Sequence, residues 1–188
     1  MNHQQLLALV SAIWVALEVI VGVITRKSGS GKSSHDRGSH RLLWSLLVVS
    51  IFIAAQIRFM KIGRMPDRDT MFWIGIALIL AGIVIRAVAI ATLWRFFTVT
   101  VAIHESHELI DRGLYRIIRH PSYTGALVSF VGLGFAFGNW ISLAIVLTGA
   151  VIGFAYRIRV EEEALTSHFG DRYREYSTRT KRLIPGIY

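Results

Sequence analysis

Leu6 to Thr25 is a run of twenty residues with one charged side chain, Glu18. A helix of that length reaches about 30 Å, the thickness of bilayer hydrocarbon. The preceding Met1-Asn2-His3-Gln4-Gln5 has no Lys or Arg, and no small-x-small cleavage site follows. The run is therefore read as a first transmembrane helix and not as a signal peptide. Leu42 to Ile57 forms a second apolar run, and Met71 to Trp94 a third, with Arg86 inside it. A polar stretch, Arg95 to His120, then breaks the pattern. Pro121 opens a further run, Ser122 to Phe137; Gly138-Asn139 is a turn signal, and Trp140 to Tyr156 is apolar again. A two-residue break between apolar runs of 16 and 17 residues predicts a helical hairpin. Both arms are short, so tilt, local thinning or flanking residues must help them across.

The pattern predicts an all-α integral membrane protein with five transmembrane helices and a C-terminal helical hairpin. The domain expectation is one membrane domain over residues 1–188. Its spans are expected at about 6–25, 42–57, 71–94, 122–137 and 140–156, with cytosolic segments 95–121 and 157–188.

Composition sharpens this. The 188 residues are 53% hydrophobic and 18% charged, which excludes a disordered chain, a coiled coil and most soluble enzymes. There is no cysteine, so disulfides, thiolate metal sites, cysteine nucleophiles and prenylation or palmitoylation of the chain itself are excluded. The formal net charge of +9 would suggest nucleic acid in a soluble protein. In an apolar chain it marks loops held at an anionic membrane face, so membrane lipids are the expected partners and nucleic acid is not. With the N-terminus outside, sixteen Lys and Arg side chains fall on the inner side and four on the outer. The positive-inside rule then places the C-terminus in the cytosol, with the plasma or inner membrane expected if the source is bacterial.

Two motifs resemble chemistry without its spacing. Gly31-Lys32-Ser33 looks like the end of a phosphate loop, but Arg26 stands where the opening glycine belongs and no strand precedes it. Ser28 to Ser34 reads as a flexible basic connector. His104-Glu105-Ser106-His107 sets two imidazoles three apart, not the four of a zinc helix, with no third ligand nearby, so no metal is expected. Glu18 and Arg86 each cost about 2.5–3.5 kcal/mol inside a bilayer. Their depths, about 10 and 12 Å from one membrane face, allow them to meet. They are expected to pair or jointly to line a polar cavity above the site, or else to form a pair that only fixes helix register.

The chemistry concentrates between His107 and Gly125. Pro121 suits the first turn of a helix, which puts His120 near its N-cap. The free amides that follow and the helix dipole make an anion site. Gly113 permits a tight turn that brings Tyr115 back toward the same point. Farther on, Arg157 and Glu161 are four apart on one helix face. They read either as an interfacial surface pair or as a dual site, Arg for a carboxylate and Glu for a cationic or hydroxyl-bearing ligand. Gly170 is expected to end that helix. Tyr173, Tyr176, Arg179 and Arg182 suit a lipid headgroup surface. Spacing alone thus yields a membrane-surface site for a ligand with a carboxylate and an amine.

Gly113-Leu114-Tyr115, Arg119-His120-Pro121-Ser122-Tyr123-Thr124-Gly125, and then Arg157, Glu161-Glu162, Phe169-Gly170, Tyr173 and Tyr176 follow in order. In this order they resemble the isoprenylcysteine carboxyl methyltransferase family over roughly residues 93–185. The Arg-His-Pro-x-Tyr-x-Gly element also occurs in phospholipid N-methyltransferases and sterol reductases; the two halves together are more specific. The resemblance implies S-adenosylmethionine as methyl donor. Carried over by position, the donor would be bound by His107, Glu108, Leu109, Ile110, Tyr115, His120, Pro121, Ser122, Tyr123 and Glu161. Arg157 would orient the substrate carboxylate. The family often has Gln where Thr100 stands here, and its eukaryotic members are longer at the N-terminus. The implied reaction is methyl transfer to the carboxylate of an isoprenylcysteine-like lipid drawn from the bilayer. Methylation of a phospholipid amine remains open, with His107, His120 or Glu162 as candidate bases. A nicotinamide-dependent isoprenoid or sterol reductase and a non-catalytic membrane scaffold also remain open. The natural acceptor, protein partners and oligomeric state are not legible in the sequence.

Overall fold

The computed structural model describes residues 2–28, 38–93 and 109–188. Among the described residues, six α-helices follow in order: α1 (His3–Ser28), α2 (Ser39–Ile57), α3 (Arg68–Leu93), α4 (Pro121–Phe137), α5 (Trp140–Phe169) and α6 (Asp171–Arg179). A 3₁₀ turn, Gly113–Arg116, precedes α4. Four of the described helices, α1, α2, α3 and α5, are long and apolar enough to cross a membrane, and α4 is a shorter apolar helix. The chain is an all-helical integral membrane protein.

The helix ends follow local chemistry. α3 starts at Arg68, three residues before the apolar run, because Asp67 Oδ1 accepts the Thr70 N–H at 3.2 Å. The hairpin forms as the sequence predicts. Gly138 adopts φ +63°, and Asn139 Oδ1 accepts from Ile141 N at 2.9 Å and Ser142 N at 3.2 Å. α5 does not stop at Tyr156, where the apolar run ends. Its 30 residues extend about 45 Å, against about 30 Å of hydrocarbon. The polar half from Arg157 to Phe169 therefore projects beyond the bilayer, and Gly170, at φ +55°, ends the helix as expected.

α3 and α4 meet backbone to backbone. A Cβ on Gly75 would lie 2.5 Å from Ala136 N, and one on Gly125 would lie 2.7 Å from Gly82 O. These glycines recur at seven-residue intervals on both helices, so α4 lies against α3 over two turns in the manner of small-residue membrane packing. α5 closes the bundle against α2, where Ser142 Oγ donates to Ala54 O at 2.8 Å and Gly149 faces Ser50. Ile79, Phe130, Val146, Ala150 and Phe154 fill the core.

The connections sort into two ends. At one end the hairpin tip meets the α2–α3 loop, with Trp140 N donating to Gly63 O at 2.7 Å and Met65 N to Gly138 O at 3.0 Å. His3 stacks on Phe72 at this same end. The other end gathers the 3₁₀ turn, the start of α4, the polar half of α5, α6 and the C-terminal tail.

Candidate functional site

Pro121 occupies the first turn of α4, and His120 is its N-cap. His120 is 4% exposed, and its ring stacks on Tyr123 with centroids 5.5 Å apart and planes 15° off parallel. Tyr123 in turn donates its hydroxyl to Glu161 Oε2 at 2.7 Å. His120 Nδ1 lies 3.9 Å from that same oxygen. One turn of α5 before Glu161, Arg157 lies beside Tyr123, is 2% exposed and donates to Ser39 Oγ at 2.6 Å. The start of α4 and the emerging half of α5 thus bring His120, Tyr123, Arg157 and Glu161 into one contact chain.

The neighbouring carboxylate has another task. Glu162 accepts from Arg119 Nε at 2.9 Å and from Arg182 Nε and Nη2 at 2.9 and 2.8 Å. His120 Nε2 stands 3.4 Å from it. Burial opposes its ionisation, yet hydrogen bonds from His120, Arg182 and Arg119 override burial and hold the carboxyl well below the usual carboxylate range. Glu162 is a structural clasp joining α5, the segment before α4, and the tail.

Backbone pairing reinforces the clasp. Arg119 N donates to Lys181 O at 2.7 Å, His120 N to Arg182 O at 3.0 Å, and Lys181 N to Ile117 O at 3.2 Å. Thr124 Oγ1 donates to Leu183 O at 2.8 Å. Tyr176 donates to Tyr115 O at 2.6 Å; burial first of all pushes this hydroxyl up to about 12, so it remains a donor across the neutral range. Tyr173 and Tyr176 are each 3% exposed, and Arg182 is committed to Glu162. The expectation that Tyr173 and Tyr176 form a lipid headgroup surface is therefore corrected: both face inward, and Tyr176 and Arg182 tie the tail to the site. Arg179 is exposed and pairs with Asp111 at 2.9 Å.

Tyr115 is buried, as the Gly113 turn at φ +59° predicts. Burial and then the Glu161 charge raise its hydroxyl far above the ordinary tyrosine range. Ser122 is buried and takes a 2.6 Å hydrogen bond from Arg86. Leu109 and Ile110 are half-buried in the stretch leading to Asp111. His107 and Glu108 lie outside the described residues, as do Thr100, His104-Glu105-Ser106-His107 and Gly31-Lys32-Ser33. Among the described residues, no group of three or more His, Asp or Glu side chains is placed to hold a metal ion. Arg119, Thr180 and Ser39 are site-building residues that spacing did not single out. Their partners lie 43, 61 and 118 residues away, beyond the reach of any local pattern.

The donor set suits a ligand bearing an amine, hydroxyls and a carboxylate. Glu161 is 31% exposed and takes a hydroxyl from Tyr123, which leaves acceptor capacity for an amine or a hydroxyl. The Tyr173 hydroxyl is buried with no hydrogen-bond partner among the described residues, under the charges of Glu162 and Glu161.

The chain is similar to known proteins over the part that builds this site. "Protein-S-isoprenylcysteine O-methyltransferase B" of Arabidopsis thaliana is 35% identical over 153 residues, covering 79% of this chain and 75% of the relative. "Protein-S-isoprenylcysteine O-methyltransferase A" of the same plant is 32% identical over 159 residues, covering 79% and 81%. A solved structure of the eukaryotic intramembrane Ras methyltransferase, isoprenylcysteine carboxyl methyltransferase, superposes with a TM-score of 0.63 at 27% identity. That match covers 77% of this chain and 52% of the solved one, so this chain spans about half its length. The profile of the isoprenylcysteine carboxyl methyltransferase family matches residues 73–167, from α3 through the polar half of α5, and the chain belongs to that family.

Proposed function

We propose that the protein transfers a methyl group from S-adenosylmethionine to the carboxylate of an isoprenylcysteine-like lipid. The observation that carries this reading is the Glu161–Tyr123–His120 contact chain at the start of α4, built by residues inside the family match. Glu161 is assigned to the donor's amine or hydroxyls, and the segment His120 to Tyr123 with Tyr115 to the rest of it. His107 to Ile110 belong to the same segment by family resemblance. When bound, S-adenosylmethionine supplies a methyl group made electrophilic by its sulfonium.

The chain's own groups then have little acid–base work to do. An α-carboxylate with a pKa of about 3.5 is already ionised at neutral pH, so no general base is needed. The protein must hold the carboxylate about 3–3.5 Å from the methyl and keep water away. Arg157, one turn from Glu161 and buried beside Tyr123, is assigned to orient the carboxylate. The lipid tail remains among the helices in the bilayer while its headgroup enters the site. Glu162 is clasped by Arg119, Arg182 and His120 and is not available as a base. This disfavours an amine acceptor, which must lose a proton. By the charge of its loops, this end of the bundle faces the cytosol.

Calorimetry of the detergent-purified protein with S-adenosylmethionine and S-adenosylhomocysteine tests the reading, beside Glu161→Ala and Arg157→Ala. Binding lost in Glu161→Ala and kept in Arg157→Ala supports the division of roles. No binding by folded wild type overturns it.

A further inference from the structure

The end of the bundle away from the candidate site holds a cavity of about 270 Å³. Arg58 faces it from the C-terminal end of α2, Arg68 and Phe72 from the start of α3, His3 from the start of α1, and Phe137 from the end of α4. Arg58 is held between two rings, its guanidinium carbon 4.6 Å from the Phe59 centroid and 5.4 Å from that of Phe137. Its Nε is buried and makes no hydrogen bond among the described residues. Arg68 Nε lies against Gly138, where an added Cβ would approach to 3.0 Å. Asp69, the carboxylate at the cavity, is paired with His3 at 3.5 Å. Burial, and after it the Arg68 charge, work against the positive charge of Arg58. The cavity thus concentrates positive charge with an unsatisfied donor on an apolar, aromatic wall.

Its position narrows the ligand. Arg58 directly follows the apolar α2, and Arg68 is the first residue of α3. Both stand where apolar helices leave the bilayer, the level of lipid phosphates. The volume is just under the ~300 Å³ at which ordinary small-molecule sites begin, so it suits a phosphate group and its immediate neighbours. The acyl chains would lie along the exposed apolar surfaces of the bundle.

We infer that this cavity binds the phosphate of an anionic phospholipid in the leaflet opposite the candidate methyl-transfer site. Arg58 and Arg68 take the phosphate oxygens, and the aromatic wall takes the glycerol end. The inference does not depend on the proposed reaction.

Native mass spectrometry of the full chain released from micelles tests it, with phosphatidylglycerol, phosphatidylcholine or inorganic phosphate as probe. Wild type is expected to retain phosphatidylglycerol, and Arg58→Gln/Arg68→Gln to lose about a hundredfold in apparent affinity, two charge-assisted hydrogen bonds at about tenfold each. Lys61→Gln/Arg64→Gln removes an equal charge from the same connection, at residues that do not line the cavity, and is expected to bind like wild type. Thermal unfolding of each variant without lipid shows that the fold is kept. Equal retention by wild type and the double variant overturns the site. Inorganic phosphate binding as well as phosphatidylglycerol overturns the lipid assignment, and an equal loss in Lys61→Gln/Arg64→Gln overturns the site by reducing the effect to bulk charge.

Discussion

Arg86 of α3 grips Glu18 of α1 with two nitrogens, Nε to Oε1 at 2.6 Å and Nη2 to Oε2 at 2.7 Å. Its Nη1 reaches on to Ser122, 2.6 Å from the hydroxyl and 3.2 Å from the carbonyl. Two intramembrane charges that would be costly alone are therefore paired and hydrogen-bonded. The pair also fixes the start of α4, one residue from Tyr123, so α1 is tied to the candidate site through a single guanidinium.

Breaking this pair from one side is expected to hurt more than removing it whole. Arg86→Ala leaves Glu18 uncompensated and is expected to destabilise by about 3–5 kcal/mol. Glu18→Ala/Arg86→Ala is expected to cost less than the sum of the single changes. A double-mutant cycle in detergent unfolding measures the coupling. Strict additivity would show that the two side chains do not interact.

Tyr123→Phe removes the hydroxyl that holds Glu161 and keeps the ring that stacks on His120. It is expected to weaken S-adenosylmethionine binding about tenfold, near 1.4 kcal/mol, while thermal stability changes little. Calorimetry beside a thermal scan checks both. Unchanged affinity would remove Tyr123–Glu161 from the donor site.

Glu162 gives the fold a dependence on acid. Its carboxyl is held below its ordinary value of 4.5 in the folded chain, so the unfolded chain binds the proton more readily. The stability it contributes is fully present above about 4.5 and is lost as pH falls below that value toward the depressed folded pKa. Melting temperature between pH 7 and pH 3 is expected to fall on the acid side. In Glu162→Gln it starts lower and falls less. Limited proteolysis of Glu162→Gln is expected to release the tail beyond α6, because Arg119 and Arg182 lose their shared anchor.

Gly125→Leu is expected to force α3 and α4 apart. Even a Cβ there would lie 2.7 Å from the backbone of both Gly82 and Arg86. Overpacking costs about 1–3 kcal/mol where side chains can yield, and backbone cannot. The expected result is loss of folded protein after extraction. A wild-type melting temperature would show that the two helices are not in backbone contact.

The helices were legible because an apolar run long enough to cross a bilayer has few other structures available to it. The turn at Gly138-Asn139, the stop at Gly170, and the meeting of Glu18 with Arg86 followed from the same reading. Hydropathy ends at Tyr156, and the helix beyond it was legible only from the Arg157–Glu161 spacing and the stop at Gly170. The tail was misread for a related reason. Tyr173, Tyr176 and Arg182 have the composition of a headgroup surface, but the two tyrosines are buried, Tyr176 bonds to Tyr115 O and Arg182 is tied to Glu162. Of the candidate site, the local part was readable: Pro121 opening a helix, His120 capping it, and Arg157 and Glu161 on one face. The clasp by Arg119, Glu162 and Arg182 joins segments with no common period, so it emerges only from the tertiary fold.

The most direct test of the proposed reaction is transfer of a labelled methyl group from S-adenosylmethionine to a prenylcysteine analogue, followed by mild alkali. A carboxyl methyl ester is cleaved and releases the label as methanol, whereas an N-methyl group is retained. The account predicts label on the prenylcysteine analogue that alkali releases. Label that survives alkali, or that appears on phospholipid amine and not on the analogue, would contradict it.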